Sequence, residues 1–325
     1  MKPEQQLLFR SVQELIEQAK QNIVRNVNST MVMTYYQIGR MIIEDEQNGA
    51  THAAYGKQTM ANLSQHLTGI FGRGYSVDNL ENMRSLYLAY RNSETLSRNL
   101  SWSHYVVLLK VKNEQERIFY ELEASTGNWS VRELQRQLNS SYYERLALSR
   151  DKAGVRKLTE EGQIVEHSTD ILKSPVVLEF LGLKEDHRYS ENDLETAIIN
   201  KLEHFMLELG KGFLFEGRQR RITLEGDHFW VDLVFYNRLL DCFVLIDLKI
   251  GKLTHQDIGQ MQMYVNYYDR RVKQPHEKPT IGIILCKEDN KAVVEFTLPL
   301  NNEQIFSREY KLYLPSKEEL QKQLL

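Results

Sequence analysis

Only two cysteines, Cys242 and Cys286, occur in 325 residues, and neither stands in a CxxC or mixed Cys/His cluster. Disulfide frameworks and zinc ribbons therefore lack support, and both thiols read as core residues within strand-like runs. Long apolar runs are missing as well. Stretches such as Ile281-Gly282-Ile283-Ile284-Leu285 fall far short of the roughly 20 residues that cross a bilayer. Met1 to Gln6 lacks the charged-then-apolar pattern of a signal peptide, so a cytoplasmic protein with no membrane partner is expected. No charge of either sign dominates: 41 Lys plus Arg against 44 Asp plus Glu leave a net charge of −3, which argues against retention on nucleic acid by bulk charge. Internal repeats and low-complexity tracts are also absent. What remains, 42% hydrophobic and 26% charged, is the composition of a globular protein long enough for two domains.

Proline is scarce in the first half, and from Gln5 to about Tyr143 apolar residues recur at three-and-four spacing, the period of helices. Polar breaks near Asn26-Val27-Asn28-Ser29, Gly49 to Gly56, Gly72-Arg73-Gly74 and Arg91 to Ser101 divide this text into about six helices. Ser76 ahead of Val77, and Ser130 three positions before Glu133, are suitable N-terminal caps. Residues 1–150 are thus expected to form a helical N-terminal domain, 151–189 a linker or transition, and 190–325 a second domain. In that second part Ser190-Glu191-Asn192-Asp193 opens a helix to about Leu209. Strand-like runs follow at Phe213–Phe215, Arg218–Leu224, Phe229–Tyr236 and Cys242–Asp247, then a helix from Asp257 to about Arg270 and a strand at Thr280–Cys286. The fold class expected is α+β overall, with a mixed sheet flanked by helices in the C-terminal domain.

Two carboxylates interrupt runs that otherwise read as buried strands: Asp232 in Phe229–Phe235, and Asp247 at the end of Phe243–Asp247. A buried, unpaired carboxylate is costly, so something positive is expected between them, and a divalent cation is the natural candidate. Strand alternation puts Asp247 and Lys249 on one side and Leu248 on the other. On the preceding helix Glu195 falls within the apolar stripe of Ile198, Ile199, Leu202, Phe205, Met206 and Leu209, so it faces the sheet. On the later helix Gln262 lies in the stripe of Ile258, Met261, Val265 and Tyr268, while Gln260 pairs with Tyr264 one turn on; either glutamine is a candidate. Glu195, Asp232 and Asp247 supply oxygen ligands that suit Mg²⁺ or Mn²⁺, and a neighbouring lysine suits a water or phosphate oxygen, which together point to metal-assisted phosphodiester hydrolysis.

The same residues resemble the PD-(D/E)XK nuclease superfamily, and specifically its YhcG-type members with a helical N-terminal domain. The matching text is Gly217-Arg218-Gln219-Arg220-Arg221-Ile222, Val231-Asp232-Leu233-Val234-Phe235-Tyr236, Leu245 to Lys252, and Gly259-Gln260-Met261-Gln262-Met263-Tyr264. Upstream, Tyr36 to Arg40, Tyr55-Gly56-Lys57, Leu100 to Tyr105 and Trp129 to Leu134 are similar to that family's N-terminal domain. The resemblance implies a restriction-endonuclease-like C-terminal domain, metal ligands at Asp232 and Asp247, a catalytic Lys249, an acidic Glu195 on the first core helix, and a Gln260-x-x-x-Tyr264 element. It further implies DNA rather than RNA as substrate, and a bacterial defence or DNA-processing setting; a homo-oligomer is compatible with it. Two departures stand out: the triplet is Asp-x-Lys rather than Glu-x-Lys, and Val231 occupies the place of the proline.

Plainer readings compete with each feature. Lys249 can be a solvated edge lysine. Arg218, Arg220 and Arg221 can contact phosphate or simply form a wet strand face. His228 and His255 lack the partners of a zinc site, and Gly72-Arg73-Gly74 lacks the lysine of a phosphate loop. From Tyr55 to Lys112 seven basic residues, Arg73 and Arg84 among them, outnumber three acids and mix with aromatics, which suits DNA contact or equally a helical core with its solvated side. Two other functions fit parts of the pattern: a catalytically inactive nucleic-acid-binding or scaffolding protein that retains the fold, and a metal-dependent phosphatase of small molecules.

Overall fold

The computed structural model describes residues 3–48, 53–90, 92–148, 152–183, 189–316 and 319–320. The chain forms two compact units, Met1–Arg136 and Gln137–Leu325, a division that falls ahead of the change in composition near residue 150.

The first unit holds α1 (Pro3–Asn48), α2 (Ala53–Phe71), α3 (Val77–Ala89), α4 (Trp102–Leu108) and α5 (Glu114–Thr126), and α6 (Val131–Asn139) begins in it. The expected break at Asn26 to Ser29 does not occur; α1 runs through it for 46 residues. Asn and Ser are weak helix formers rather than breakers, and the following turns are anchored by buried Val32, Tyr36, Ile42 and Ile43. Gly39 lets α1 lie against α3, since a Cβ there would sit 2.0 Å from the Met83 carbonyl oxygen. α2 starts at Ala53, inside the second expected break, whose residues 49–52 lie outside the described ones. The caps read from sequence are in place: Ser76 Oγ accepts from the Asn79 N–H (3.3 Å) and Ser130 Oγ from the Glu133 N–H (3.1 Å).

The second unit continues with α7 (Tyr142–Ala147), α8 (Lys152–Glu161), β1 (Val176–Val177), α9 (Glu191–Asn200), α10 (Leu202–Leu209), β2 (Phe213–Leu224), β3 (Asp227–Asn237), β4 (Cys242–Lys252), α11 (His255–Tyr267), β5 (Ile281–Glu288), α12 (Lys291–Thr297) and β6 (Ile305–Lys311). The six strands form one sheet in the order β1-β6-β5-β4-β3-β2, antiparallel from β2 to β4 and parallel from β4 to β1. A mixed sheet with flanking helices was the expectation. The two runs expected at Phe213–Phe215 and Arg218–Leu224 are a single strand, because a bulge between Phe215 and Gly217 absorbs the irregularity. The single helix expected up to Leu209 is two, since Lys201 leaves the helical region (φ −124°, ψ 30°).

Each face of the sheet carries its own core. Leu194 and Ile198 of α9, with Phe205 and Leu209 of α10, pack on Leu233, Phe235, Val244, Ile246 and Leu248. On the other side Ile258, Met261, Tyr264 and Val265 of α11 pack on Val231, Val234, Leu245 and Ile284. Gly282 permits the second contact, because a Cβ there would lie 2.6 Å from the Met261 side chain. Both cysteines are buried and free, one in each core.

A fully buried ion pair fastens the unit. The Arg145 guanidinium binds the Glu208 carboxylate and donates to the Ser140 carbonyl (2.8 Å), Ser140 Oγ (3.0 Å) and the Pro175 carbonyl (3.2 Å). Glu208 Oε1 in turn accepts from the Val177 N–H (3.0 Å), which joins α7, α10 and β1. Removing one partner of such a pair leaves an uncompensated buried charge, so Glu208→Ala is expected to destabilise this unit by about 3–5 kcal/mol in urea denaturation; a loss under 1 kcal/mol would contradict this account.

Candidate active site

The backbone ladder between β3 and β4 ends at Leu233 and Ile246. One residue further along, Asp232 and Asp247 stand across from each other, and there a side chain takes over from the backbone: the Leu248 N–H donates to Asp232 Oδ2 (2.8 Å). The strands part at that point, and the cleft between them holds the two acids. Asp247 is 2% exposed. Lys249 Nζ lies 2.8 Å from Asp247 Oδ2 and 3.7 Å from Glu191 Oε2. The ammonium pairs with Asp247 Oδ2, a buried oxygen that finds no other donor among the described residues.

The electrostatics follow from burial. Desolvation, reinforced by the neighbouring Asp232 charge and only partly offset by Lys249, pushes the Asp247 carboxyl up to about 7. Desolvation also raises Glu195, which is 4% exposed; a hydrogen bond from Gln219 and the charge of Arg218 oppose the rise. For Lys249, burial opposes the charged form, but the carboxylates of Asp247, Glu191 and Asp232 outweigh it and hold the ammonium above its ordinary value.

Glu195 comes from α9, whose start is fixed by a reciprocal cap: Ser190 Oγ accepts from the Asp193 N–H (3.2 Å) and Asp193 Oδ2 from the Ser190 N–H (2.8 Å). Gln219 of β2 joins the cluster. Its Nε2 donates to Glu195 Oε2 (2.5 Å) and to Asp232 Oδ1 (3.1 Å). Behind the cleft Gln260 Nε2 donates to the Tyr264 hydroxyl, which donates to the Trp230 carbonyl (2.8 Å), two residues before Asp232. Among the described residues no three His, Cys, Asp or Glu side chains are arranged to hold a metal ion; an amide lies between Glu195 and Asp232, and an ammonium lies against Asp247.

The structure therefore brings together Glu195, Asp232, Asp247 and Lys249, and sets Gln260 and Tyr264 at the rear of β3. Gln262 is not part of this group. It is exposed and lines a separate cavity of about 660 Å³ with Asn266 and Lys278. The stripe read from sequence left out Tyr264, which is fully buried; including it rotates the inward face of α11 toward Gln260 and away from Gln262. Sequence reading missed Glu191 and Gln219. The first was recoverable, standing one helical turn before Glu195 on the same face.

The basic residues divide. Arg218 and Arg221 are exposed on β2, whereas Arg220 is folded back onto Glu216 (2.5 Å). Arg73 is exposed in the turn after α2, while Arg84 is held by Glu46 of α1 (2.9 Å). Two aromatics of that stretch are engaged in packing. Trp102 stacks obliquely on Tyr35 and donates to Asn79 Oδ1 (2.9 Å), and buried Tyr105 donates to Glu121 (2.9 Å). The side chain of Lys57, and Arg91, lie outside the described residues. His228 pairs with Thr223 Oγ1 (3.0 Å) and is exposed.

A raised carboxyl means that the folded state holds its proton more tightly than the unfolded chain. Without metal, the Asp247 contribution is therefore most favourable below about pH 4 and is lost as pH climbs toward about 7. Asp247→Asn is expected to flatten the fall in metal-free stability between pH 5 and pH 8 and to melt above the native chain at pH 8. A variant that melts lower at pH 8 with an unchanged slope would refute the assignment of that carboxyl.

Comparison with known proteins places the chain in a family. Residues 169–325 match a family profile described as the YhcG PDDEXK nuclease domain, and residues 11–145 match the DUF1016 N-terminal domain. YhcG of Escherichia coli (strain K12), provisionally named a nuclease, is 38% identical over 98% of this chain and 93% of its own length. The crystal structure of a repair endonuclease from Pyrococcus abyssi covers 41% of this chain and 50% of its own, at 19% identity and a TM-score of 0.27. A structure of EndoMS with dsDNA covers 42% and 50%, at 16% identity and a TM-score of 0.27. No helix among the described residues is long and apolar enough to cross a membrane. With both parts of the chain matched and its identity to YhcG sustained from end to end, the protein belongs to the YhcG family of PDDEXK nucleases.

Proposed function

We propose that this chain hydrolyses the phosphodiester bonds of nucleic acid, DNA before RNA, with Mg²⁺ or Mn²⁺ held among Glu195, Asp232 and Asp247, in a defence or DNA-processing role. The observation that carries this reading is the opposition of the two carboxylates where β3 and β4 part, with the Lys249 ammonium 2.8 Å from the buried one. The donor set fits a hard cation: Asp247 Oδ2 is a buried acceptor with no donor but the Lys249 ammonium among the described residues, and Mg²⁺ takes one or two carboxylates while leaving positions for water and phosphate. When bound, such an ion supplies the charge that polarises a phosphoryl oxygen and acidifies water.

The chain's own groups take the remaining tasks. Lys249, held above its ordinary pKa by its carboxylate neighbours, stays an ammonium at neutral pH. It is therefore suited to orienting water or neutralising charge that builds on the phosphate, not to removing a proton. Gln260 and Tyr264 hold the Trp230 carbonyl, and with it the approach of β3 to the cleft. Arg218 and Arg221, exposed beside Gln219, are placed to meet a phosphodiester backbone. The preference for DNA rests on the family.

The test is an incubation of the full chain with supercoiled, linear and single-stranded DNA and with RNA, in Mg²⁺, Mn²⁺ or EDTA. Cleavage is expected in both metals and none in EDTA, with Asp232→Ala and Lys249→Ala each costing about 10²- to 10³-fold or more in rate. Cleavage that survives both substitutions would move the chemistry elsewhere, and binding without cleavage in either metal would favour the scaffolding reading.

A further inference from the structure

Gln219 has two properties that its place in a strand does not explain. Its backbone has φ of +48°, the left-handed region that L side chains avoid. It lies between Arg218 and Arg220, which pair with Leu233 and Val231, so it stands beside Asp232 with a backbone turned out of the regular pleat. A disfavoured conformation of this kind persists where the surroundings over-determine it, and it is a pointer to function. The second property is what the side chain does: one amide nitrogen lies within 3.1 Å of carboxylate oxygens from two different elements, Glu195 on α9 and Asp232 on β3.

Chemistry fixes the orientation of that amide. An ionised carboxylate only accepts, so the NH₂ end faces the acids, and both of its hydrogens are used. A divalent ion shared by the same two oxygens would occupy the same point in space, and the nitrogen and the ion exclude each other. Gln219 is exposed, so its side chain has solvent into which to withdraw.

We propose that Gln219 is a built-in cation surrogate: its amide cross-links Glu195 and Asp232 when no ion is bound, and by competing for the same oxygens it weakens the hold of the cleft on a divalent cation. This rests on the metal-dependent reading above. The residue positions the acids and sets the ion concentration at which the cleft fills. Its carbonyl end has no part in holding the ion.

The experiment is calorimetric titration of the full chain with Mn²⁺ and with Mg²⁺, together with melting of the metal-free protein, for the native chain, Gln219→Met, Gln219→Gly and Asp232→Asn. Methionine keeps the length of the side chain and removes the donor. Glycine removes the side chain and adopts φ of +48° freely, so it guards against a methionine variant that fails to fold. Both variants are expected to bind Mn²⁺ about tenfold tighter or more, since each no longer has to displace two charge-assisted hydrogen bonds. Gln219→Met should also melt lower without metal than the native chain, and Gln219→Gly should lose less. Unchanged or weaker Mn²⁺ binding in both variants overturns the proposal, and weaker binding would make Gln219 a ligand. If Asp232→Asn binds Mn²⁺ as the native chain does, the cleft itself is not the ion site, and both readings fall together.

Discussion

The Leu248 N–H has to find an acceptor at the point where β3 leaves β4, and Asp232 Oδ2 is that acceptor. A buried amide without a partner is costly, so this bond fixes Asp232 at the mouth of the gap and ends the ladder there. The rest of the site follows from register. With Asp232 opposite Asp247, strand alternation puts Lys249 beside Asp247 and turns Leu248 into the core shared with α9 and α10. A slip of one residue along β4 would bury Lys249 among leucines and carry both of its carboxylate contacts away.

Two clusters of buried charge in the same unit show opposite solutions to one problem. Arg145 and Glu208 meet bidentately, with Ser140, Pro175 and Val177 as further hydrogen-bond partners, so the pair serves packing. In the cleft the acids outnumber the one ammonium, the Asp247 carboxyl is pushed up to about 7, and one of its buried oxygens has no donor but Lys249 among the described residues. That shortage of positive charge is what a site for a charged ligand requires, and it is held in place by packing around it.

Most of the architecture was legible in the sequence because it depends on period and punctuation. The caps at Ser76, Ser130 and Ser190, the β3 and β4 strands, and the inward-facing Glu195 all follow from local patterns. The failures have physical causes. β1 is two residues long and β6 carries Ser307, Arg308 and Glu309 along its length, so neither shows a clean hydrophobic alternation. α1 crosses a polar stretch that its later buried turns make tolerable. In the site, Gln262 was drawn inward by a stripe that ignored Tyr264, while Gln219 depends on a backbone angle that no side-chain pattern encodes. Trp102 and Tyr105, open to two interpretations in the sequence, are committed to Tyr35, Asn79 and Glu121.

Gly282 withholds the one carbon atom that would prop α11 away from β5. The Met261 and Val265 side chains accordingly rest directly on the main chain of β5, and Tyr264, a single turn after Met261, is carried at that depth. Its hydroxyl spans to the Trp230 carbonyl at 2.8 Å without slack. A side chain added at position 282 would therefore be felt, by way of α11 and the Tyr264 hydroxyl, at the Trp230 carbonyl of the strand that bears Asp232.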